Sequence, residues 1–124
     1  MEKTQRIQVV VRKRPLSRKE IEKSDQDIVT GKPPNAIILK EAKVKVDLTK
    51  YTEEHTFMFD HVYDENVNNR QLYTHSVKPL VMASLEGVKI TCFAYGQTGS
   101  GKTFTMMGDN NSQPGLFLYF LYQS

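Results

Sequence analysis

A run of eight residues in the last third of the chain has the residue types and spacing needed to hold phosphate groups. It fits the pattern G-x-x-x-x-G-K-[ST] and consists of Gly96, Gln97, Thr98, Gly99, Ser100, Gly101, Lys102 and Thr103. Glycines let the backbone turn tightly and approach a phosphate without an intervening Cβ, and the loop N–H groups can then surround anionic oxygens. Lys102 is expected to reach the β- and γ-phosphates of a nucleotide, and the Thr103 hydroxyl to hold Mg²⁺. A flexible glycine-rich turn without a ligand would not require lysine and threonine at those two places.

The segments on either side of this loop have the patterns that such a site requires. Residues 88–95 are rich in apolar and β-branched side chains and predict a central strand that leads into the loop. Lys102–Met107 is expected to open a helix, whose first N–H groups and dipole would add to the anion site. The single cysteine, Cys92, lies inside the predicted strand and is expected to be a buried thiol.

The first half of the chain is predicted to form short strands separated by turns. Residues 7–11 predict a buried strand that stops before Pro15, and residues 31–35 predict a turn. Further strands are expected at 36–39 and 56–59. Residues 43–51 alternate between apolar and polar side chains, which predicts a half-exposed strand or hairpin arm.

A helix is predicted after this region. Asp64 or Asn66 is expected to cap it near Val67, and its apolar residues then follow helical spacing. Pro79 should kink or divide the helix, since proline lacks an N–H. Gly87 is expected to terminate it.

Composition and charge exclude some classes of function. The 124 residues carry a net charge of +3, divided into +6 over residues 1–50 and −3 over residues 51–124. A basic half is compatible with an acidic polymer such as nucleic acid or a microtubule, or with an ordinary solvated face. No basic patch interleaved with aromatic residues supports a nucleic-acid binder. No metal-ligand cluster, signal segment or membrane-spanning run is expected, and the default compartment is the cytoplasm.

Several motifs around and before the glycine-rich loop point together to one protein family. The run FAYGQTGSGKTFTM at 93–106 resembles the kinesin signature, and RKRP at 12–15 resembles the end of the first kinesin strand. FMFDHVY at 57–63 and KPLV at 78–81 match further family motifs in family order. The resemblance covers residues 7–118, while 119–124 diverge. It implies an α/β fold, namely part of a P-loop NTPase with a central sheet and flanking helices.

The resemblance also implies ligands and partners. ATP with Mg²⁺ would be the cofactor and the microtubule the partner, which places the protein on the cytoskeleton. Arg12, Arg14 and Pro15 would frame the adenine, with Phe104 on the other side of the base. An arginine plane and an aromatic ring can both contact a π face, which makes these roles chemically reasonable.

One short motif suggests a subgroup. Lys45, Val46 and Asp47 resemble the K-V-D finger of the kinesin-13 group, whose members use ATP to dismantle microtubule ends and contact tubulin with this ribbon. An amphipathic edge strand whose lysines discourage aggregation remains the alternative.

The sequence lacks other parts of a kinesin cycle. ATP hydrolysis needs groups that position water and sense the γ-phosphate, and neither a serine/arginine-rich switch I nor a D-x-x-G-type switch II follows Thr103. We therefore expect 1–124 to be the N-terminal portion of a motor domain, truncated and poorly soluble when isolated. A nucleotide-binding module without turnover is one alternative, and an unrelated P-loop enzyme such as a small-molecule kinase is another.

Overall fold

The computed structural model describes residues 7–109 and 113–123. The chain divides into two compact units, Met1–Asn66 and Val67–Ser124. Within the described residues the first unit contains five strands and one short helix, and the second contains helical segments and the glycine-rich loop. This mixture of strands and helices agrees with the predicted α/β class.

In the first unit a short parallel pair contains the buried core. Strand β1 (Val10–Arg12) pairs in parallel with β5 (His61–Tyr63), with Val11 opposite Val62. Val62 and Tyr63 are buried. The prediction of a buried strand at 7–11 is wrong at its start, because β5 offers only three partner positions and Ile7 remains exposed.

An antiparallel meander occupies most of the first unit. It consists of β2 (Val29–Lys32), β3 (Ala36–Val44) and β4 (Lys50–Met58), paired in that order. The predicted turn between β2 and β3 is present at 33–35. Helix α1 (Arg18–Glu22) precedes the meander and begins with a capping box, in which the Ser17 hydroxyl accepts from the Glu20 N–H and the Glu20 carboxylate accepts from the Ser17 N–H.

The strand predicted for residues 43–51 divides into two strands and a turn. Strand β3 ends at Val44 and β4 begins at Lys50, so residues 45–49 connect the two strands. Backbone bonds from Lys45 N–H to Thr49 O (2.9 Å) and from Leu48 N–H to Lys45 O (2.8 Å) close the turn. Alternation alone does not reveal the turn, because apolar residues continue through it.

The second unit begins with an interrupted helix. It runs through α2 (Asn69–Leu72), a π-helical turn (Tyr73–Val77) and α3 (Lys78–Leu85). Pro79 has no N–H to bond four residues back, and the Lys78 N–H reaches Tyr73 O five residues back. The predicted division at Pro79 is confirmed. The predicted cap is wrong, because Asn68 caps the helix in a capping box with Gln71.

Two further helices complete the second unit, α4 (Lys102–Met107) and α5 (Leu116–Gln123). Its buried apolar residues come from the interrupted helix and from the start of α5, and they are Leu72, Tyr73, Val81 and Leu116. The rings of Tyr73 and Tyr119 stack with centroids 5.4 Å apart. No helix in the described part of the chain is long and apolar enough to cross a membrane.

The segment before the glycine-rich loop differs from the prediction. Residues 88–95 form no strand, and Tyr95 is 96% exposed. A strand needs a neighbour to satisfy its backbone N–H and C=O groups, and no strand within residues 7–109 and 113–123 pairs with this segment. Cys92 is consequently exposed rather than buried.

Candidate functional site

The glycine-rich loop has the backbone conformation that its sequence predicts. Gly99 and Gly101 have φ angles of +84° and +104°, in the region that side chains with a Cβ rarely occupy. The Ser100 N–H donates to Gln97 O at 3.0 Å and closes a turn inside the loop. Gly96 lies close to Ser100, since a Cβ there would lie 2.4 Å from the Ser100 Oγ and the serine side chain would have to move.

Lys102 and Thr103 begin the helix that follows the loop. Gly101 is the N-cap of α4, and no side chain among the described residues caps this helix. The Lys102 side chain folds back so that its Nζ donates to Gly96 O at 2.6 Å, which places the ammonium group across the loop. The Thr103 side chain is exposed. The loop therefore has a cation and a hydroxyl beside its glycines.

An open depression of about 400 Å³ lies at this loop. Its lining residues are Thr98, Gly99, Gly101, Lys102, Thr103 and Phe104. The Ser100 Oγ is buried and has no hydrogen-bond partner within the described residues. An oxygen-rich anion would fit this depression, because backbone N–H groups of the loop and the Lys102 ammonium group are donors and belong to residues that line it.

The expected adenine-framing residues lie in the first unit, whereas the loop and Phe104 lie in the second. Arg14 forms a forked ion pair with Glu20, with Nη1–Oε1 at 2.6 Å and Nη2–Oε2 at 3.2 Å. Its Nη1 also donates to Pro15 O. The Arg14 hydrogen bond, helped by those from Ser17, lowers the pKa of Glu20 to about 2. Arg12 is half-buried, and this burial lowers its pKa.

Lys13, between the two arginines, holds this segment in place. Its Nζ lies 2.7 Å from Asp27 Oδ2 and 2.8 Å from Glu65 Oε2, and only 9% of its side chain is exposed. Burial would lower the pKa of Lys13, but the bonds to the two carboxylates outweigh that effect and the pKa is raised. The Lys13 hydrogen bond is also the main cause of the lowered pKa of each carboxyl. Sequence reasoning missed this cluster, because its members are far apart in the chain.

Lys45, Val46 and Asp47 lie at the tip of the β3–β4 hairpin. Val46 is fully exposed, and the Lys45 Nζ lies 5.7 Å from the centroid of the Tyr51 ring. The Asp47 Oδ1 accepts from the Thr49 N–H at 3.0 Å. Leu48 completes the turn with a φ of +68°, which is unusual for a residue with a Cβ. The tip thus presents one cation, one carboxylate and two exposed apolar side chains.

A second polar cluster lies along the same hairpin. Carboxylate and imidazole atoms of Glu41, Glu53 and His55 lie within 4.8 Å of one another. His55 Nε2 lies 2.8 Å from Glu41 Oε2, and Lys43 forms an ion pair with Glu53. Because Lys43 already provides a positive charge beside carboxylates that face each other across the strands, we interpret the cluster as a cross-strand ion-pair network.

Comparison with known proteins gives the family. A model of the kinesin motor domain matches residues 12–123. The chain is 52% identical over 101 residues to a kinesin-like protein KIN-13A of Oryza sativa subsp. japonica, covering 82% of this chain and 12% of that protein. It is 54% identical over 101 residues to a kinesin-like protein KIN-13B of Arabidopsis thaliana, covering 82% of this chain and 15% of that protein.

A solved structure agrees with the sequence relatives. A structure described as a fast kinesin superposes with a TM-score of 0.79 at 37% identity, over 94% of this chain and 31% of that one. That protein is described in terms of its ATPase mechanism and its interactions with microtubules. The present chain spans a minor part of each of these relatives. The match over residues 12–123 nevertheless covers most of the chain, which therefore belongs to the kinesin motor domain family.

Proposed function

We propose that this chain binds ATP with Mg²⁺ through residues 96–103, as the nucleotide-binding part of a microtubule motor. The observation that carries the proposal is the conformation of the loop. Gly99 and Gly101 adopt positive φ angles, and Lys102 places its ammonium group across the loop at 2.6 Å from Gly96 O. A neutral carbonyl is a weaker partner for an ammonium group than a phosphate oxygen is. Phosphate binding would therefore replace the Gly96 contact of Lys102 with a stronger one.

Other residues would bind the remaining parts of the nucleotide and its Mg²⁺. The Ser100 hydroxyl is buried without a partner in the described residues, and it would donate to a phosphate oxygen. Thr103, exposed on the first turn of α4, would offer its hydroxyl to Mg²⁺. Mg²⁺ itself would neutralise phosphate charge when bound. Phe104, Arg12, Arg14 and Pro15 would contact the adenine, and Arg14 would do so while paired with Glu20.

Calorimetric titration of the chain with ATP and Mg²⁺ tests this proposal. Lys102→Ala should weaken binding by at least about tenfold, because a hydrogen bond to a charged group is worth roughly 1.5–3 kcal/mol. Lys89→Ala is the matched control, since Lys89 is an exposed lysine in the same unit. Equal ATP affinity in the parent and in Lys102→Ala would contradict the assignment of the loop.

Hydrolysis separates a working ATPase from a nucleotide-binding module without turnover, since membership of the kinesin family already argues against an unrelated P-loop enzyme. The sequence after Thr103 contains no switch-like motif and only one acidic residue, Asp109. Binding without turnover is therefore the expected behaviour of this chain alone. Phosphate release measured with and without microtubules decides the question. Release that microtubules stimulate would show a working ATPase, whereas ATP binding without phosphate release would favour a nucleotide-binding module without turnover.

We further propose that the hairpin tip contacts tubulin and that the parent motor is a kinesin-13-like microtubule depolymerase in the cytoplasm. The support is the exposed Lys45–Asp47 turn together with relatives named as KIN-13 proteins. Replacing Lys45 and Asp47 with alanine should reduce binding to tubulin in a pull-down assay. Lys32→Ala, at the other end of the meander, should leave it unchanged. Equal losses in both variants would remove the special role of the tip.

A further inference from the structure

We infer that Asn69 is a positioning residue for the helix that follows the phosphate loop, an inference that rests on the proposed ATP site. Asn69 is the first residue of α2 and is 0% exposed. A fully buried amide is uncommon unless its hydrogen-bonding groups are satisfied. Its partners therefore indicate what it does.

The Asn69 amide nitrogen donates to two backbone carbonyls in the region of α4. Nδ2 donates to Phe104 O at 2.9 Å and to Pro114 O at 3.1 Å. Because carbonyl oxygens can only accept, the side chain must present its NH₂ group to both. The Asn69 backbone N–H also donates to Gln113 Oε1 at 3.3 Å. Asn69 is thus hydrogen-bonded both to α4 and to residues 113–114, which follow α4 in the chain.

The backbone at this junction leaves little room for adjustment. A Cβ on Gly108 would lie 2.3 Å from Gln113 O, and one on Gly115 would lie 2.4 Å from Met106 O. The Asp109 N–H donates to Gln113 O at 2.8 Å, and the Gly108 N–H donates to Phe104 O at 3.0 Å. The end of α4 and residues 113–115 are therefore packed backbone against backbone, and Asn69 bonds to both sides of the contact.

This arrangement bears on the nucleotide site through α4. Lys102 and Thr103 form the first turn of that helix, and Phe104, whose carbonyl Asn69 holds, follows them directly. Small displacements of groups that position a ligand have large effects on binding and reactivity. Loss of the Asn69 amide should therefore weaken ATP binding, although Asn69 would not itself touch ATP.

Asn68 provides a matched control. It is the neighbouring asparagine and caps α2 by accepting from the Gln71 N–H at 2.8 Å. Replacing it with alanine also destabilises this helix, but within the described residues the bond that is lost lies inside α2 and not at α4 or residues 113–115. Asn69→Ala and Asn68→Ala should therefore differ in nucleotide binding rather than merely in stability. Asn69→Asp, which has nearly the same size and lacks the NH₂ donors, serves if the alanine variant does not fold.

The experiment combines ATP affinity with amide hydrogen exchange. We expect the Asn69 variants to bind ATP about three- to tenfold more weakly than the parent, and to exchange faster at Gly108 and Asp109. Asn68→Ala should change neither measurement to this extent. Equal ATP affinities in the Asn69 and Asn68 variants would overturn the inference. If the parent does not bind ATP, the proposed function fails. The exchange data then decide alone whether Asn69 holds α4, with unchanged rates at Gly108 and Asp109 refuting it.

Discussion

Replacing Lys13 with methionine should loosen the parallel pair that forms the core of the first unit. Methionine keeps most of the apolar stem and removes the ammonium group, so two contacts are lost, at 2.7 Å to Asp27 and 2.8 Å to Glu65. A hydrogen bond to a charged group is worth roughly 1.5–3 kcal/mol when it is shielded from solvent. The two carboxylates are 44% and 38% exposed. Because water can solvate these carboxylates in the variant, each lost contact should lower the free energy of unfolding by only about 0.5–1.5 kcal/mol. The two contacts together should lower it by about 1–3 kcal/mol.

The pH dependence of this loss follows from the two carboxyl groups. The Lys13 bonds lower the pKa of Asp27 and Glu65 from ordinary values of 3.8 and 4.5. A lowered pKa in the folded state gives stability that is present above the ordinary pKa and disappears as the pH falls through the folded-state pKa. The difference between the parent and Lys13→Met should therefore be largest near pH 7 and should shrink below about pH 4.

Hydrogen exchange of the amides at residue 13 and Val62 measures this effect locally. These amides donate to Tyr63 O and Pro34 O within the first unit. A loss of about 1–3 kcal/mol corresponds to exchange roughly 5- to 150-fold faster at neutral pH. Lys19→Met, at an exposed lysine on α1, is the control. Exchange in Lys13→Met that matches this control, or a difference that persists unchanged at pH 3, would refute the reasoning.

Three further predictions concern the hairpin tip, the first helix and the exposed apolar surface. Leu48→Asn should stabilise the hairpin turn by about 0.5–1 kcal/mol, since asparagine tolerates a φ of +68° better than leucine does, and should slow amide exchange at Lys45, whose N–H donates to Thr49 O; unchanged or faster exchange would show that the turn is not strained. The Arg14–Glu20 pair and its capping box should be lost as the pH falls through about 2, the pKa of Glu20 in the folded chain, and the Arg14 side-chain NMR signals should follow this titration in the parent but not in Glu20→Gln. The isolated chain should bind an apolar dye, because Phe93 and Tyr95 are exposed among many large apolar side chains; a sharp cooperative melt without dye binding would contradict this expectation.

The features predicted correctly from sequence are those that local chemistry determines. Gly99 and Gly101 have positive φ angles, as the tight turn expected of these glycines allows, and Pro79 divides its helix because proline cannot donate. The turn at 33–35 also follows directly from its residues. In each case the local sequence is sufficient, since the constraint acts within a few residues of its cause.

The features that sequence reasoning missed depend on distant partners. Residues 88–95 have strand-forming side chains, but no described strand pairs with them. The sequence does not distinguish Lys13 from the basic residues beside it, because its partners Asp27 and Glu65 are distant in the chain. Asn69 carries no sequence signal of its buried contacts with Phe104 and Pro114. The Asn68 cap was the exception, because the Asn-x-x-Gln spacing of a capping box is visible in the sequence.

The most direct test of the account is an amide NMR titration of the ¹⁵N-labelled chain with ATP and Mg²⁺. If residues 96–103 form the nucleotide site, the amides of Gly99, Ser100 and Gly101 should shift most, and these shifts should be lost in Lys102→Ala but kept in Lys89→Ala. An absence of shifts at these glycines, or the same shifts in Lys102→Ala, would contradict the assignment of this loop as the ATP site.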